Sequence, residues 1–286
     1  MKKKRGNPAY TSCPRREETR HIRPPSNKEE KELFIFSKNA TLQFRNKERS
    51  VDMFEFVSNV RYSEVDYKCD LKWLSLLDYF QDCSVAHSEK LHVGTDFLAK
   101  NNVAWILIGW QIHLEKMPRL CDKIHVRTWP YEMKDFYGKR NFEMVAEDGT
   151  RLAYADTTWV MVNASTGKPV KILPELLAAY EYEPRIEMES MGRKMRIPAE
   201  YEEKIPVEVP VYFIDTNHHM NNGRYLQVAL SYVPEGFEPT RLQIEYRKEA
   251  RLGDYLYPRV TVEEDSIVVV LADKDGVPYS IVKFVK

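Results

Sequence analysis

The chain carries one pattern twice, and this internal repeat restricts its fold more than any other feature. A segment from Val65, VDYKCDLKWLSLLDYFQ, aligns with a segment from Ile214, IDTNHHMNNGRYLQVAL, at an offset of 149 residues. Asp66 then falls on Asp215, and both segments lead into an amphipathic helix. The repeat predicts two similar structural units within one chain.

The repeat continues downstream of both helices. WQIHLEKMPRLCD from Trp110 aligns with LQIEYRKEARLGD from Leu242 at an offset of 132 residues. AEDGTRLAYADTTWVMV from Ala146 resembles ADKDGVPYSIVKFVK from Ala272, and each contains the Asp-Gly pair of a tight hairpin turn. Because the offset falls, the first copy must contain longer connections, which surface loops tolerate.

Each copy predicts a strand, a helix and several antiparallel strands. The helix of the first copy is indicated by apolar residues near helical spacing between Leu71 and Leu91, namely Trp73, Leu74, Leu77, Phe80 and Val85. The later segments alternate between apolar and polar residues or form dense apolar runs, which is typical of strands. A helix wrapped by an antiparallel sheet is the hotdog arrangement. The prediction is therefore an α+β fold of two tandem hotdog domains that form a covalent pseudo-dimer.

A charged connector separates the predicted domains. It lacks strand alternation and contains Pro184, Gly192 and Pro198. The start of the chain is also highly charged, so we expect a disordered, dispensable tail there, with Met53 as a candidate start of the native protein. The predicted segments are a tail (1–52), an N-terminal hotdog domain (53–180), a linker (181–205) and a C-terminal hotdog domain (206–286).

The composition excludes several classes of protein. Lys+Arg and Asp+Glu are equal at 43 each, so no overall charge favours nucleic acid or a membrane surface as a partner. No run approaches 18 apolar residues, so we expect no membrane span. Four cysteines without a C-x-x-C pair fit a reducing compartment, and the first residues lack the apolar region of a signal peptide. We therefore expect a cytoplasmic protein.

The stretch IDTNHHMNNGRYLQ, residues 214–227, concentrates polar side chains at the start of the second predicted helix. Adjacent histidines point apart and no H-E-x-x-H spacing occurs here, so we expect no metal site. Asn221 and Asn222 are good N-cap residues for a helix over Asn221–Tyr232. For His219 alone, a buried histidine with satisfied hydrogen bonds is the more common interpretation.

A second polar segment, EYRKEA at residues 245–250, favours a catalytic role for His219 more than His219 alone does. A strand over these residues would place Glu245, Arg247 and Glu249 on one face. A carboxylate brought close to His219, with a carboxamide nearby, can position and deprotonate water. Glu249 can equally be a surface partner of Arg251 or Lys248, and the spacing does not decide between these alternatives.

The repeat also indicates which copy can carry chemistry. The first copy has the same frame without the His, Asn or Glu of the second, so we expect one active site. The aligned pairs are Asn217 with Lys68, His219 with Asp70, and Glu249 with Met117.

DTNHHMNN followed by EYRKEA resembles the active-site segments of acyl–acyl-carrier-protein (acyl-ACP) thioesterases, the plant and bacterial double-hotdog family. Their pattern is Asp-x-Asn-x-His-x-Asn-Asn, then Glu-Tyr-Arg-x-Glu-Cys, and the resemblance runs from about Phe54 to Lys286. Ala250 stands where the family has Cys. No cysteine follows Cys121, so a Cys–His covalent mechanism is excluded at this site. The residues that match the family's catalytic positions are Asp215, Asn217, His219 and Glu249.

This resemblance implies hydrolysis of the thioester of fatty acyl-ACP, which releases free fatty acid and ends fatty acid synthesis, without a cofactor. Glu249, with His219, would activate a water or attack the thioester carbonyl itself. Asn217 would hold the water or the carbonyl oxygen, and Asp215 would orient the turn and His219. A main-chain N–H at the start of the following helix would stabilise the oxyanion.

We expect the acyl chain to enter an apolar tunnel with the candidate walls Trp73, Leu74, Leu77 and Phe80, although core packing is the more common role for any one of these side chains. The acidic carrier protein should meet a local basic patch, for which the candidates are Lys139, Arg140, Arg193, Lys194 and Arg196. Two other functions stay open: a hotdog 3-hydroxyacyl-ACP dehydratase, and a non-catalytic protein that binds an acyl thioester. The acyl chain length, a preference for carrier or coenzyme A, and a further homodimer are also open.

Overall fold

Residues 53–189, 194–215 and 217–286 are described here from a computed structural model. The predicted tail, residues 1–52, lies outside the described residues, as does Arg193. No helix in the described part of the chain combines the length and the apolar character needed to cross a bilayer.

Within these ranges, eleven antiparallel strands form one continuous sheet in the order β1-β3-β4-β5-β2-β8-β11-β10-β9-β6, and β7 pairs with β9. The strands are β1 Phe54–Asn59, β2 Val103–Leu114, β3 Lys123–Lys134, β4 Tyr137–Ala146, β5 Arg151–Asn163, β6 Glu202–Glu203, β7 Val207–Glu208, β8 Arg241–Tyr246, β9 Tyr255–Val262, β10 Ser266–Ala272 and β11 Pro278–Val285. The two predicted Asp-Gly hairpin turns are present, and their glycines, Gly149 and Gly276, have φ of +85° and +81°.

In the described residues, four α-helices accompany the sheet: α1 Trp73–Lys90, α2 Thr95–Lys100, α3 Pro174–Ala179 and α4 Asn222–Leu230. Short 3₁₀ turns, Tyr62–Glu64 and Val211–Phe213, precede the two repeated segments. The helix predicted between Leu71 and Leu91 is therefore confirmed as α1. Val85, predicted on its apolar face, is 46% exposed, because the buried face of α1 is narrower than the apolar spacing indicated.

Each half of the sheet packs on its own long helix, α1 on β1 and β3 and α4 on β10 and β11. The helices bury apolar side chains in one core that includes residues of both halves. Phe80 of α1 lies against Trp110 and Phe142, with ring centroids 6.2 and 5.4 Å away. Leu226 of α4 is fully buried in the same core. The predicted pattern of a helix against an antiparallel sheet thus occurs twice.

The halves join where β2 pairs with β8, from Gly109 opposite Glu245 to His113 opposite Arg241. The chain is irregular next to this seam, with a register shift between Leu107 and Gly109. A Cβ on Gly109 would lie 2.4 Å from the carbonyl oxygen of Ile244. Only glycine allows the two backbones to approach this closely.

The predicted linker is docked on the sheet along much of its length. Trp129 donates its indole N–H to the Pro184 carbonyl at 3.0 Å, and the Met195 N–H donates to Glu245 Oε2 at 2.6 Å. Thr261 donates its hydroxyl to the Glu200 carbonyl at 2.7 Å. Residues 53–286 accordingly form one compact unit, and the division into domains at 180 and 206 stays a prediction.

Candidate active site

The second repeated segment forms a tight turn between Ile214 and Met220, which bridge each other as isolated β residues. The Asp215 N–H donates to the His219 carbonyl at 2.9 Å, and the Asp215 side chain accepts from the N–H of Asn217 at 2.8 Å. His218 takes a φ of +61° and is exposed. Asp215 therefore orients the turn through backbone N–H groups, in a bond pattern that aspartate favours in turns.

His219 and Glu249 meet beside this turn. His219 Nε2 lies 3.1 Å from Glu249 Oε2, and the two side chains are 25% and 49% exposed. The predicted strand over 245–250 is wrong, because β8 ends at Tyr246. The chain leaves the sheet there, and its departure carries Glu249 to the turn while Glu245 stays buried under Met195 and Arg247.

Two hydrogen bonds fix the segment that carries Glu249. The Met220 N–H donates to the Ala250 carbonyl at 2.8 Å, and the Ala250 N–H donates to the Tyr225 hydroxyl at 2.9 Å. Burial raises the pKa of Tyr225, so its hydroxyl stays protonated. Sequence reasoning missed Tyr225, whose signal in the sequence was its place in the apolar spacing of the second predicted helix.

The helix α4 begins directly after the turn. Asn221 is its N-cap, as predicted, and accepts from the Gly223 N–H at 2.9 Å. Asn222 is therefore the first helical residue, and the helix ends at Leu230, two residues before the predicted Tyr232. Among the described residues, no acceptor is bonded to the Asn222 N–H. This N–H points from the positive end of the helix dipole.

Asn217 lies within the turn and is exposed. Its side chain has no hydrogen-bond partner in the described part of the chain, so its amide is available to a ligand. The structure thus brings Asp215, His219 and Glu249 into one connected cluster with Asn217 at its edge.

The first repeated segment folds into the same turn. Asp66 Oδ1 accepts from the N–H of Lys68 at 2.8 Å and of Asp70 at 3.1 Å. Cys69 takes a φ of +65°, as His218 does in the second turn. Asp70, in the place of His219, forms an ion pair with Arg119 at 3.1 Å. The first copy therefore keeps the frame of the turn, as predicted, and the restriction of the active site to the second copy stays a prediction.

Another carboxylate lies near the start of α4. Asp78 of α1 places Oδ1 3.5 Å from the point where a Cβ on Gly223 would be. Asp78 is exposed as a whole, yet its carboxyl is partly desolvated. This desolvation and, to a smaller extent, the negative charge of Asp82 raise the pKa of Asp78 to about 6. Sequence reasoning missed Asp78, although it follows Leu74 of the apolar pattern by one helical turn, because only the packing of α1 on α4 brings it near the site.

Two family models match the chain. The model of the acyl-ACP thioesterase N-terminal domain matches residues 52–180, and that of the acyl-ACP thioesterase C-terminal domain matches residues 197–274. The chain belongs to the acyl-ACP thioesterase family.

Relatives in this family are distant from the chain. A chloroplastic acyl-[acyl-carrier-protein] hydrolase of Cuphea viscosissima is 27% identical over 198 residues, which cover 64% of this chain and 48% of that protein. An oleoyl-acyl carrier protein thioesterase of Arabidopsis thaliana is 22% identical over 219 residues, covering 68% and 59%. The chain spans about half the length of the curated relatives it matches.

Solved structures of acyl-ACP thioesterases share the fold. One from Bacteroides thetaiotaomicron has a TM-score of 0.75 at 23% identity, covering 82% of this chain and 97% of that one. A 12:0-ACP thioesterase from Umbellularia californica has a TM-score of 0.73 at 18% identity, covering 83% and 98%. The predicted fold of two tandem hotdog domains is confirmed.

The residues predicted to line an acyl tunnel divide into two groups. Leu77 and Phe80 are fully buried in the core, and Trp73 is nearly so. Leu74 is half-buried and extends to the start of α4, where its Cδ1 would lie 2.8 Å from a Cβ on Gly223. This contact places Leu74 beside the start of α4, and the tunnel itself stays a prediction.

The predicted basic patch needs one correction. Arg140 is buried, with Nη1 donating to His87 Nδ1 at 3.0 Å and to Thr128 Oγ1 at 3.2 Å, so it cannot meet a carrier protein. Its side chain points inward because position 140 of β4 faces α1. Lys139 forms an ion pair with Glu132 at 2.6 Å.

Metal binding finds no support in the described ranges, where no group of three or more His, Cys, Asp or Glu side chains is arranged to hold an ion.

Proposed function

We propose that the chain is a thiolester hydrolase that releases a free fatty acid from fatty acyl-ACP. The observation that carries this proposal is the 3.1 Å contact between His219 and Glu249 at the start of α4. The equivalent turn of the other half holds an ion pair between Asp70 and Arg119 in place of the histidine and the glutamate.

In the proposed reaction Glu249 takes a proton from a water molecule, whose oxygen attacks the carbonyl carbon of the thioester. The His219 N–H donates to the other carboxylate oxygen and so keeps Glu249 in place. The tetrahedral intermediate then expels the sulfur, which receives the proton that Glu249 had taken, so fatty acid and free thiol result. Asn217 holds the water or the carbonyl oxygen.

The negative charge that forms on the carbonyl oxygen is stabilised by the Asn222 N–H, because a donor at a helix N-terminus favours an anion. Acid–base catalysis by a positioned side chain supplies about 10² to 10⁴-fold in rate. Positioning of the thioester and oxyanion stabilisation must supply the remainder.

A direct attack of Glu249 on the thioester is the alternative route. After a single turnover in H₂¹⁸O, label in the Glu249 carboxylate would show direct attack, because it requires a mixed anhydride that water opens at the glutamate carbonyl. Attack of water on the thioester places ¹⁸O only in the fatty acid and leaves Glu249 unlabelled.

The test is release of free fatty acid from a panel of acyl-ACP and acyl-coenzyme A thioesters. His219→Ala and Glu249→Gln should each lower kcat by about 10² to 10⁴-fold. Asp70→Ala is the matched control, because it changes the same position of the first turn and should leave kcat unchanged. Equal activity in all the variants would refute this site.

Other products would point elsewhere. Loss of water from a 3-hydroxyacyl substrate would identify a dehydratase, and tight thioester binding without turnover would identify a binding protein. The panel also reports the preferred chain length and carrier.

The proposed partner is acyl carrier protein. Lys194 and Arg196 are exposed cations on either side of Met195, which is bonded to Glu245 and Arg247 near the end of β8. Positive charge at this place speeds the encounter with an acidic carrier protein.

A cytoplasmic location and a homodimer belong to the same proposal, and the names of the plant relatives place those proteins in chloroplasts. Light scattering of the purified chain tests the dimer.

A further inference from the structure

An arginine follows the candidate site in the second half and has an exact counterpart in the first. The Arg119 N–H donates to Asp122 Oδ2 at 2.8 Å, and the Arg251 N–H donates to Asp254 Oδ2 at the same distance. Each aspartate N–H returns a bond to the arginine carbonyl, at 2.9 and 3.0 Å. Both arginines therefore leave the backbone at the same point of the same turn.

The first half shows where a side chain at this point can reach. Arg119 Nε lies 3.1 Å from Asp70 Oδ1, and its Nη2 donates to the Lys68 carbonyl at 2.9 Å. In the repeat, Asp70 and Lys68 occupy the places of His219 and Asn217. An arginine here thus spans the two positions that carry the candidate chemistry in the second half.

The second half has kept the arginine and replaced its carboxylate. His219 stands where Asp70 stands in the first half, and it contacts Glu249. Arg251 is exposed and has no carboxylate within 4 Å among the described residues. The Ala250 carbonyl accepts from the Met220 N–H at the end of the second turn, so Arg251 leaves the backbone next to that turn.

We propose that Arg251 binds the anion that forms at the reacting carbon, first the oxyanion of the intermediate and then the carboxylate of the released fatty acid. This inference rests on the proposed function and adds a catalytic residue to it. The guanidinium is always charged and matches a carboxylate with two parallel N–H donors. It also offsets repulsion between the product carboxylate and Glu249, two residues earlier in the chain.

Two other anions can attract an arginine at this place, namely an acidic side chain of the carrier and the phosphate of its prosthetic arm. Both are absent from an acyl-N-acetylcysteamine thioester, which retains the reacting carbonyl. A substrate of this kind separates the oxyanion from the other sources.

The experiment measures kcat and KM of wild type, Arg251→Gln, Arg251→Lys and the matched control Arg119→Gln with acyl-ACP and with the acyl-N-acetylcysteamine thioester. Loss of one oxyanion donor costs about 10² to 10³-fold in kcat. We expect a fall of this order in Arg251→Gln with both substrates, partial recovery in Arg251→Lys, and a change below about two-fold in Arg119→Gln. Thermal unfolding checks that all variants are folded.

Binding of a free fatty acid and of the corresponding fatty alcohol, measured by calorimetry, tests the same assignment without turnover. Wild type should bind the acid more tightly than the alcohol, and Arg251→Gln should lose that preference by at least about ten-fold. An unchanged kcat and preference in Arg251→Gln, in a wild type that releases fatty acid, would overturn the inference alone. An effect confined to acyl-ACP would overturn it in favour of carrier binding. A wild type without turnover would refute the proposed function, and the acid–alcohol comparison would still decide the role of Arg251.

Discussion

A buried histidine in the first half should make the protein sensitive to mild acid. His87 lies in the last turn of α1, where its Nδ1 accepts from Arg140 at 3.0 Å. Its ring stacks on Phe54 at 5.1 Å and meets the Tyr180 ring edge-on at 5.3 Å. Burial, with the charges of Arg140 and Lys90, lowers the pKa of His87 to about 3. The imidazole is therefore neutral in the folded protein.

The sign of the effect follows from the two pKa values. In the unfolded chain His87 takes a proton below its ordinary pKa of 6.5, whereas the folded protein resists protonation down to about 3. The stability contribution is fully present above pH 6.5 and is lost as the pH falls toward 3. The complete difference corresponds to about 5 kcal/mol, of which about 2 kcal/mol is lost by pH 5.

His87→Asn removes the titrating group and keeps an acceptor for Arg140, since the amide oxygen takes the place of Nδ1. Urea unfolding at pH 7.5 and pH 5.0 should show a loss of stability in wild type about 2 kcal/mol larger than in the variant. His92→Asn is the matched control, because His92 is exposed and asparagine tolerates its φ of +59°. The same pH dependence in wild type and His87→Asn would show that the burial argument is wrong.

Three further outcomes can be measured. Gly223→Ala should lower the free energy of unfolding by about 1 to 3 kcal/mol, because its Cβ would lie 2.8 Å from Leu74 Cδ1. Adding Leu74→Ala to this variant should restore part of the lost stability, which urea unfolding measures. Iodoacetamide should modify exposed Cys121 in the native protein and spare buried Cys83, whose pKa burial raises to about 12, a difference that peptide mass spectrometry detects. Asp78→Asn should stabilise the protein by up to about 1 kcal/mol above pH 6, after allowance for solvent screening, because the raised pKa of Asp78 disfavours its charged form in the folded protein. The gain should vanish below pH 4, where the carboxyl is protonated, and urea unfolding at pH 8 and pH 4 measures the difference.

The repeat predicted more of the site than any single motif did. Alignment of Asp66 with Asp215 placed two equal turns in the fold, and the backbone bonds of both turns agree with it. Asn221 was predictable as a cap because its side chain type and the helix that follows suffice to define that role. These features depend on local chemistry, which the sequence displays directly.

Features that depend on distant parts of the chain were not predictable. Residues 247–249 continue the polar pattern of a strand edge, yet β8 ends at Tyr246, and the N–H groups of Arg247 and Lys248 both donate to the Tyr279 carbonyl. Arg140 was predicted on the surface because arginine is rarely buried. Its burial depends on a hydrogen bond to His87, which lies 53 residues away in the chain. The roles of Asp215, Asn217, His219 and Glu249 stay predictions.

The ion pair between Asp70 and Arg119 has a kinetic consequence under the proposed function. A protein with two open turns would load two carriers and could couple their turnover. Here one turn is closed by its own side chains, so the stoichiometry is one carrier per chain. Saturation with substrate should then follow a simple hyperbola, with any cooperativity arising only between separate chains.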